Sequence, residues 1–275
     1  MNGMIRKLRR SALLLLIALL CLACGLSEEV QLNDMSAYAD RVQEELAYFQ
    51  EMYDESDGWK AGAVLLDEAE YGWISDAREL LNRYFMDAYG LDVSQMTAEI
   101  EVYASENLPE VVDGFSDGEN HVYLNPGEIE RVPERMLHIL THEMLHALGV
   151  DFYGDESGML SNGFFEGLTE AATKRILETY GYAYEDFSGY DEVRIYGDQV
   201  LQADPMLLCD LVEGSERNIA RRIDAGAGEG CGQVLLECEL LLSTGPDASE
   251  IGENCTLILQ RYAESMGVEE DVSTH

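Results

Sequence analysis

The chain is poor in positive charge: 17 Lys and Arg stand against 54 Asp and Glu over 275 residues, a formal net charge of −37. A nucleic-acid backbone is held by clustered Lys and Arg, so this balance excludes nucleic acid as a partner. It equally excludes a peripheral protein held to anionic lipid by basic residues. No apolar run reaches the roughly 20 residues that a membrane-spanning helix needs. The run Ala12–Ala23 stops after twelve. Setting aside Cys21 and Cys24 near the N-terminus, none of the other four cysteines is spaced as C-x-x-C, which argues against a structural zinc ribbon, and there is no internal repeat or low-complexity tract. What is present is ordinary globular material, 47% hydrophobic and 26% charged. It is long enough for one domain of about 250 residues or two small lobes around a sizeable core.

The N-terminus reads as an address. Arg6, Lys7, Arg9 and Arg10 precede the apolar run, which ends in Ala23-Cys24-Gly25. That is the layout of a secretory signal peptide over residues 1–23. Leu22-Ala23-Cys24-Gly25 resembles a bacterial lipoprotein box, although Cys21 stands where an aliphatic residue is usual. The resemblance implies lipid on Cys24, a tether over residues 24–35 and an extracytoplasmic, membrane-anchored protein; plain secretion and an uncleaved anchor are the alternatives. In an oxidising compartment Cys209, Cys231, Cys238 and Cys255 allow two disulfides with three connectivities. Buried free thiols are the competing reading.

Along the chain, Tyr38, Val42, Leu46, Phe49 and Tyr53 recur at helical spacing toward Gly58. A second helix is expected from Ser75-Asp76, with Asp76 and Glu79 at capping-box spacing, to Gly90. Ala98 to Tyr103 alternates as a half-buried strand, and His121 to Asn125 reads as another, closed by Pro126-Gly127. Asp113-Gly114 and Asp117-Gly118 between them are turn signals. Further on, Asp204-Pro205 opens a helix through Leu211, and Gln233–Leu242 and Cys255–Met266 also read as helices. Gly226, Gly228, Gly230 and Gly232 make a flexible joint before them.

The informative stretch runs from Pro133 to Gly149, a helix start and a helix stop. It contains His142-Glu143-Met144-Leu145-His146, an H-E-x-x-H motif. On a helix, His142 and His146 lie one turn apart on one face, so both rings reach one metal ion. Glu143 projects beside them, able to touch a water on that ion without being a ligand. With only five histidines in the chain, a chance motif of this kind is about a one-in-a-hundred event.

A catalytic zinc usually has three protein ligands and an open fourth position. His138 is a turn before His142, but three consecutive turns are nearly linear, so it reads as a packed or supporting residue. The metzincin spacing places Phe152 at the third-ligand position, with Asp151 one residue short. Glu166, in Gly163-Phe164-Phe165-Glu166-Gly167-Leu168-Thr169-Glu170, is the third candidate, on a helix running to Gly181 with Glu170 one turn on. Here the chain resembles the gluzincin zinc metallopeptidases, the thermolysin-like and aminopeptidase-like clan. It has Phe165 where the aminopeptidase branch has asparagine. The resemblance implies Glu166 as third ligand, Glu170 as an acid orienting His142 or His146, and Zn2+ as cofactor.

The resemblance covers about residues 75 to 181. It implies an α+β fold with a small N-terminal lobe over 36–150, carrying a mixed sheet and the H-E-x-x-H helix. A mainly helical C-terminal lobe over 151–268 carries the third ligand, with the zinc cleft between the lobes and a polar tail over 269–275. It further implies an edge strand along the cleft, by position Val122-Tyr123-Leu124, that pairs with an extended peptide. Glu143 would be the general base. The oxyanion donor would be one of Tyr153, Tyr182, Tyr184, Tyr190 and Tyr196, with Tyr190 the first choice. The expected activity is peptide-bond hydrolysis on a peptide or protein substrate. The alternatives are a zinc-binding surface lipoprotein without turnover and a zinc hydrolase of a non-peptide amide.

Overall fold

The computed structural model describes residues 32–118, 120–131, 135–150, 166–184, 190–214, 218–244 and 249–268. The expected signal peptide, Cys24, Pro133, Asp151, Phe152, Tyr153, Gly163 to Phe165 and the tail 269–275 lie outside them. The architecture is mixed α and β, mostly helical, with one four-stranded mixed sheet. In order come α1 (Ala39–Lys60), β1 (Val64–Leu65), α2 (Trp73–Tyr89), α3 (Ser94–Glu99), β2 (Glu101–Ala104), β3 (Gly114–Ser116), β4 (His121–Leu124), α4 (Pro126–Arg131) and α5 (Met136–Ala147). Then follow α6 (Glu166–Thr179), α7 (Asp191–Ala203), α8 (Leu207–Glu213), α9 (Ile219–Ala227), α10 (Cys231–Thr244) and α11 (Ser249–Ser265). Among the described residues, no helix is long and apolar enough to cross a membrane.

The sheet runs β1-β2-β4-β3. β2 and β4 are parallel, pairing Val102 with Val122. β1 and β3 are antiparallel to their neighbours. Side chains alternate across the pleat. Val102, Val122 and Leu124 are buried, on the side where α5 packs. On the other side Tyr103 stacks on Tyr123 at 5.4 Å between ring centroids. Trp59, near the end of α1, meets Phe115 edge-on at 5.3 Å.

This order corrects one expectation. β4 is an inner strand, held by β2 and β3, so Val122-Tyr123-Leu124 is not the sheet edge. The edges are β1 and β3; β3, three residues beginning at Gly114, forms because Phe115 pairs with Tyr123 and Ser116 with Val122. Other boundaries move for local reasons. Ala98 and Glu99 close α3, and the strand starts at Glu101. Gly58 lies inside α1 rather than at its end. Asp76 sits in the first turn of α2, whose N-cap is Gly72, with the Ser75 hydroxyl donating to the Gly72 carbonyl at 3.0 Å.

The C-terminal helices pack through glycines. A Cβ on Gly226 would press into Tyr262 and Ser265 of α11, and one on Gly232 into the backbone of Ala220. These two glycines are therefore helix-contact positions, not parts of a flexible joint. Arg222 binds Asp204 and Asp210 at 2.5 Å each, and Tyr262 donates to Asp204 at 2.7 Å, tying α8, α9 and α11 together. The expected disulfides are absent: Cys209, Cys231, Cys238 and Cys255 are free, buried thiols.

Candidate metal centre

α5 is built to be buried. Met136, Leu140, Met144 and Leu145 are fully covered, and the helix stops at Gly149, whose φ of +91° closes it with the Gly149 amide on the His146 carbonyl. A left-handed φ there favours glycine. Burial of the helix carries His138, His142 and His146 into the interior with it. α6 packs against α5 and is covered along most of its length, with Glu166 and Glu170 inside.

The two helices bring three donor atoms together. His142 Nε2 lies 3.0 Å from His146 Nε2 and 3.1 Å from Glu166 Oε2, and His146 Nε2 lies 3.4 Å from the same oxygen. Zinc bonds of about 2.0–2.1 Å in tetrahedral array put ligand atoms about 3.4 Å apart. The triangle therefore has the size that such an ion requires, with two nitrogens and one oxygen, all buried. His142, His146 and Glu166 could hold a metal ion.

Support behind the triangle comes from Glu170, which is fully buried. Its Oε2 accepts from His142 Nδ1 at 2.8 Å, and its Oε1 lies 2.9 Å from His138 Nε2. The Tyr184 hydroxyl donates to the same Oε1 at 2.6 Å. A carboxylate on Nδ1 fixes the tautomer and leaves Nε2 for the ion. His138 is accordingly not among the three donors; it braces the carboxylate that orients His142.

Electrostatics follow from this geometry. Burial pushes the His142 pKa down, but hydrogen bonds to Glu166 and Glu170 outweigh it and push it up to about 10. Burial pushes Glu166 up, yet the charge of His146 and hydrogen bonds from both histidines hold it well below the carboxylate range. Glu170 is likewise held low against burial, by its hydrogen bonds to His138 and His142. Glu143 goes the other way. Burial raises its pKa, and the charges of His142 and His146 and the Ser116 amide only partly offset this.

β3 lies directly on Glu143. A Cβ on Gly114 would stand 2.8 Å from Glu143 Cγ and 2.9 Å from Ile139 Cγ2, so only glycine admits this approach. Tyr190, at the N-cap of α7, stacks on His142 with ring centroids 6.1 Å apart and planes 7° from parallel. The Glu166 carboxylate, then burial and Glu143, push its hydroxyl well above the usual phenol range.

Comparisons with protein-family models, curated proteins and solved structures return no match. The structure brings His142, Glu143, His146, Glu166, Glu170 and Tyr190 into one region, while Tyr184 joins through Glu170 rather than facing the triangle. Sequence reasoning missed Gly114 and Glu239. For Glu239 there was a signal: the otherwise apolar run Leu235 to Leu242 is interrupted by two acids, Glu237 and Glu239.

Proposed function

We propose that this chain is an exported zinc-dependent metallopeptidase of gluzincin type. The observation that carries the reading is the buried triangle of His142, His146 and Glu166, sized for zinc, with Glu143 beside it. Zinc supplies Lewis acidity there, lowering the pKa of water and polarising a carbonyl. Glu143, whose pKa burial raises, takes the proton of the attacking water and hands it to the leaving amine. Glu170 holds the His142 ring in place while this happens. Tyr190, kept protonated by the carboxylates around it, donates to the oxygen on which negative charge develops.

β3 is the substrate-binding edge. Among the described residues it has one sheet neighbour, β4, and its first residue touches Glu143. An extended peptide added along that edge places its backbone next to the general base. The sheet and α5 form one wall of the cleft, and α6, α7 and the helices beyond them form the other. The lipoprotein-like segment at Cys24 supports a protein anchored outside the cytoplasm.

The test is cleavage of a mixed peptide library by the zinc-loaded protein beside its Glu143→Gln variant. Cleavage by the parent alone supports the reading. Bound zinc without cleavage by either protein refutes a general peptidase and favours a zinc-binding lipoprotein or a non-peptide amidase.

A further inference from the structure

We infer that Glu239, from α10, is a positioning residue for the metal centre, acting through the backbone amide next to Glu166. The inference rests on the metal reading above and extends the site to a helix 72 residues away in sequence.

Glu239 is completely buried in a helix that is otherwise apolar on that side, among Leu235, Leu236, Leu240 and Leu241. A carboxylate in such a place needs strong hydrogen bonds to be tolerated. Its Oε1 accepts from the Gly167 amide at 3.0 Å, a buried contact across 72 residues. Gly167 directly follows Glu166, and its N–H belongs to the first turn of α6, where helix amides have no partner within the helix. A carboxylate on a first-turn amide also meets the positive end of the helix dipole.

The opposite side of the same residue is held by α7. A Cβ on Gly167 would run into the Val193 carbonyl, and one on Gly197 would run into the Gly167 carbonyl. Both residues must be glycine for the two backbones to touch. The peptide unit that carries Glu166 is thus clamped between the α7 backbone and the Glu239 carboxylate. Glu166 can place Oε2 within 3.1 and 3.4 Å of the two histidine nitrogens only if its own Cα is fixed. The Glu239 charge is also among those that raise Tyr190, so one buried acid bears on both the third ligand and the oxyanion donor.

The experiment measures zinc dissociation constants by competition with a chromogenic chelator. It compares the full chain with Glu239→Gln, Glu239→Asp and Glu239→Ala, each checked for a cooperative melt. Outer residues that hold ligands directly contribute about 10–100-fold to metal affinity. Asp is one methylene too short to reach the Gly167 amide, and Ala has no acceptor, so both should bind zinc about tenfold more weakly. Gln keeps an acceptor oxygen and should stay within about threefold of the parent. Parent-like affinity in the Asp variant overturns the inference, as does equal loss in Asp and Gln. If the Ala variant does not fold, the Asp and Gln pair decides. A parent chain that binds no zinc at all refutes the metal reading itself, a result distinct from either pattern among the variants.

Discussion

On the proposed zinc reading, metal binding should expel a proton from His142, and the raised pKa of its ring sets the direction in which affinity depends on pH. The ring is hydrogen-bonded on both sides, to Glu166 through Nε2 and to Glu170 through Nδ1, and its pKa is pushed up to about 10 despite burial. At about pH 7 the protonated form therefore exceeds the neutral one by roughly a thousandfold, which is about 4 kcal/mol at 1.36 kcal/mol per unit. A ligating imidazole must be neutral. Apparent zinc affinity should rise about tenfold per pH unit from about pH 7 to 9 and level off near 10. Glu166 and Glu170 are held well below the ordinary range, so they stay ionised throughout and add no slope.

The metal-free protein should respond in the opposite sense. A pKa raised in the folded state contributes stability that is fully present below the unfolded value near 6.5 and lost as pH rises toward the folded value. Melts of the metal-free chain should therefore fall across the same window in which zinc binding strengthens. Chelator competition at several pH values gives the slope, and calorimetry in two buffers of different protonation enthalpy counts the protons, with about one expected. Affinity that is flat between about pH 7 and 9, with no proton released, would refute the charge arrangement argued here.

Other outcomes follow from the same geometry. Glu143→Gln should lower kcat by about 10²–10⁴-fold while leaving zinc content unchanged in metal analysis, because the residue serves the water and not the ion. Glu166→Ala should lose far more zinc than His138→Ala, since Glu166 supplies one of the three donors and His138 only braces Glu170; equal losses would sink the ligand assignment. Gly197→Ala should lower stability by about 3 kcal/mol, or Tm by roughly 6–12 °C, because its methyl has no room against α6. An unchanged melt would show that α6 and α7 are not in backbone contact.

What the sequence made legible was local. The apolar stretch ending at Gly149 specified α5, and helical spacing alone aligned His142 with His146. The four-residue step from Glu166 to Glu170 likewise put two acids on one face of α6. What stayed hidden depends on partners distant in the chain. β3 is three residues beginning with glycine, and nothing in it reads as a strand until β4 pairs with it. Gly226 and Gly232 resemble a joint in sequence because glycine signals both flexibility and close approach; only the neighbours Tyr262 and Ala220 decide which. Four cysteines in a chain expected to be exported point to disulfides, but four buried thiols satisfy the same count.

The buried charges explain why these residues belong together. Glu143, Glu166 and Glu170 lie around His142 and His146, and each desolvated carboxylate costs several kcal/mol unless matched. Without an ion, the proton on His142 supplies part of the match, which is why its pKa rises. In the proposed site that proton and a zinc ion would compete for the same place: the space between His142 Nε2, His146 Nε2 and Glu166 Oε2, whose edges are 3.0 to 3.4 Å. A divalent cation answers more of the negative charge than one proton does. It also finds its donors already at ligand spacing, so little reorganisation opposes binding. On the proposed metal reading, the carboxylate excess that is unfavourable in an empty core would become the driving force for metal uptake, and the pH slope would measure the exchange directly.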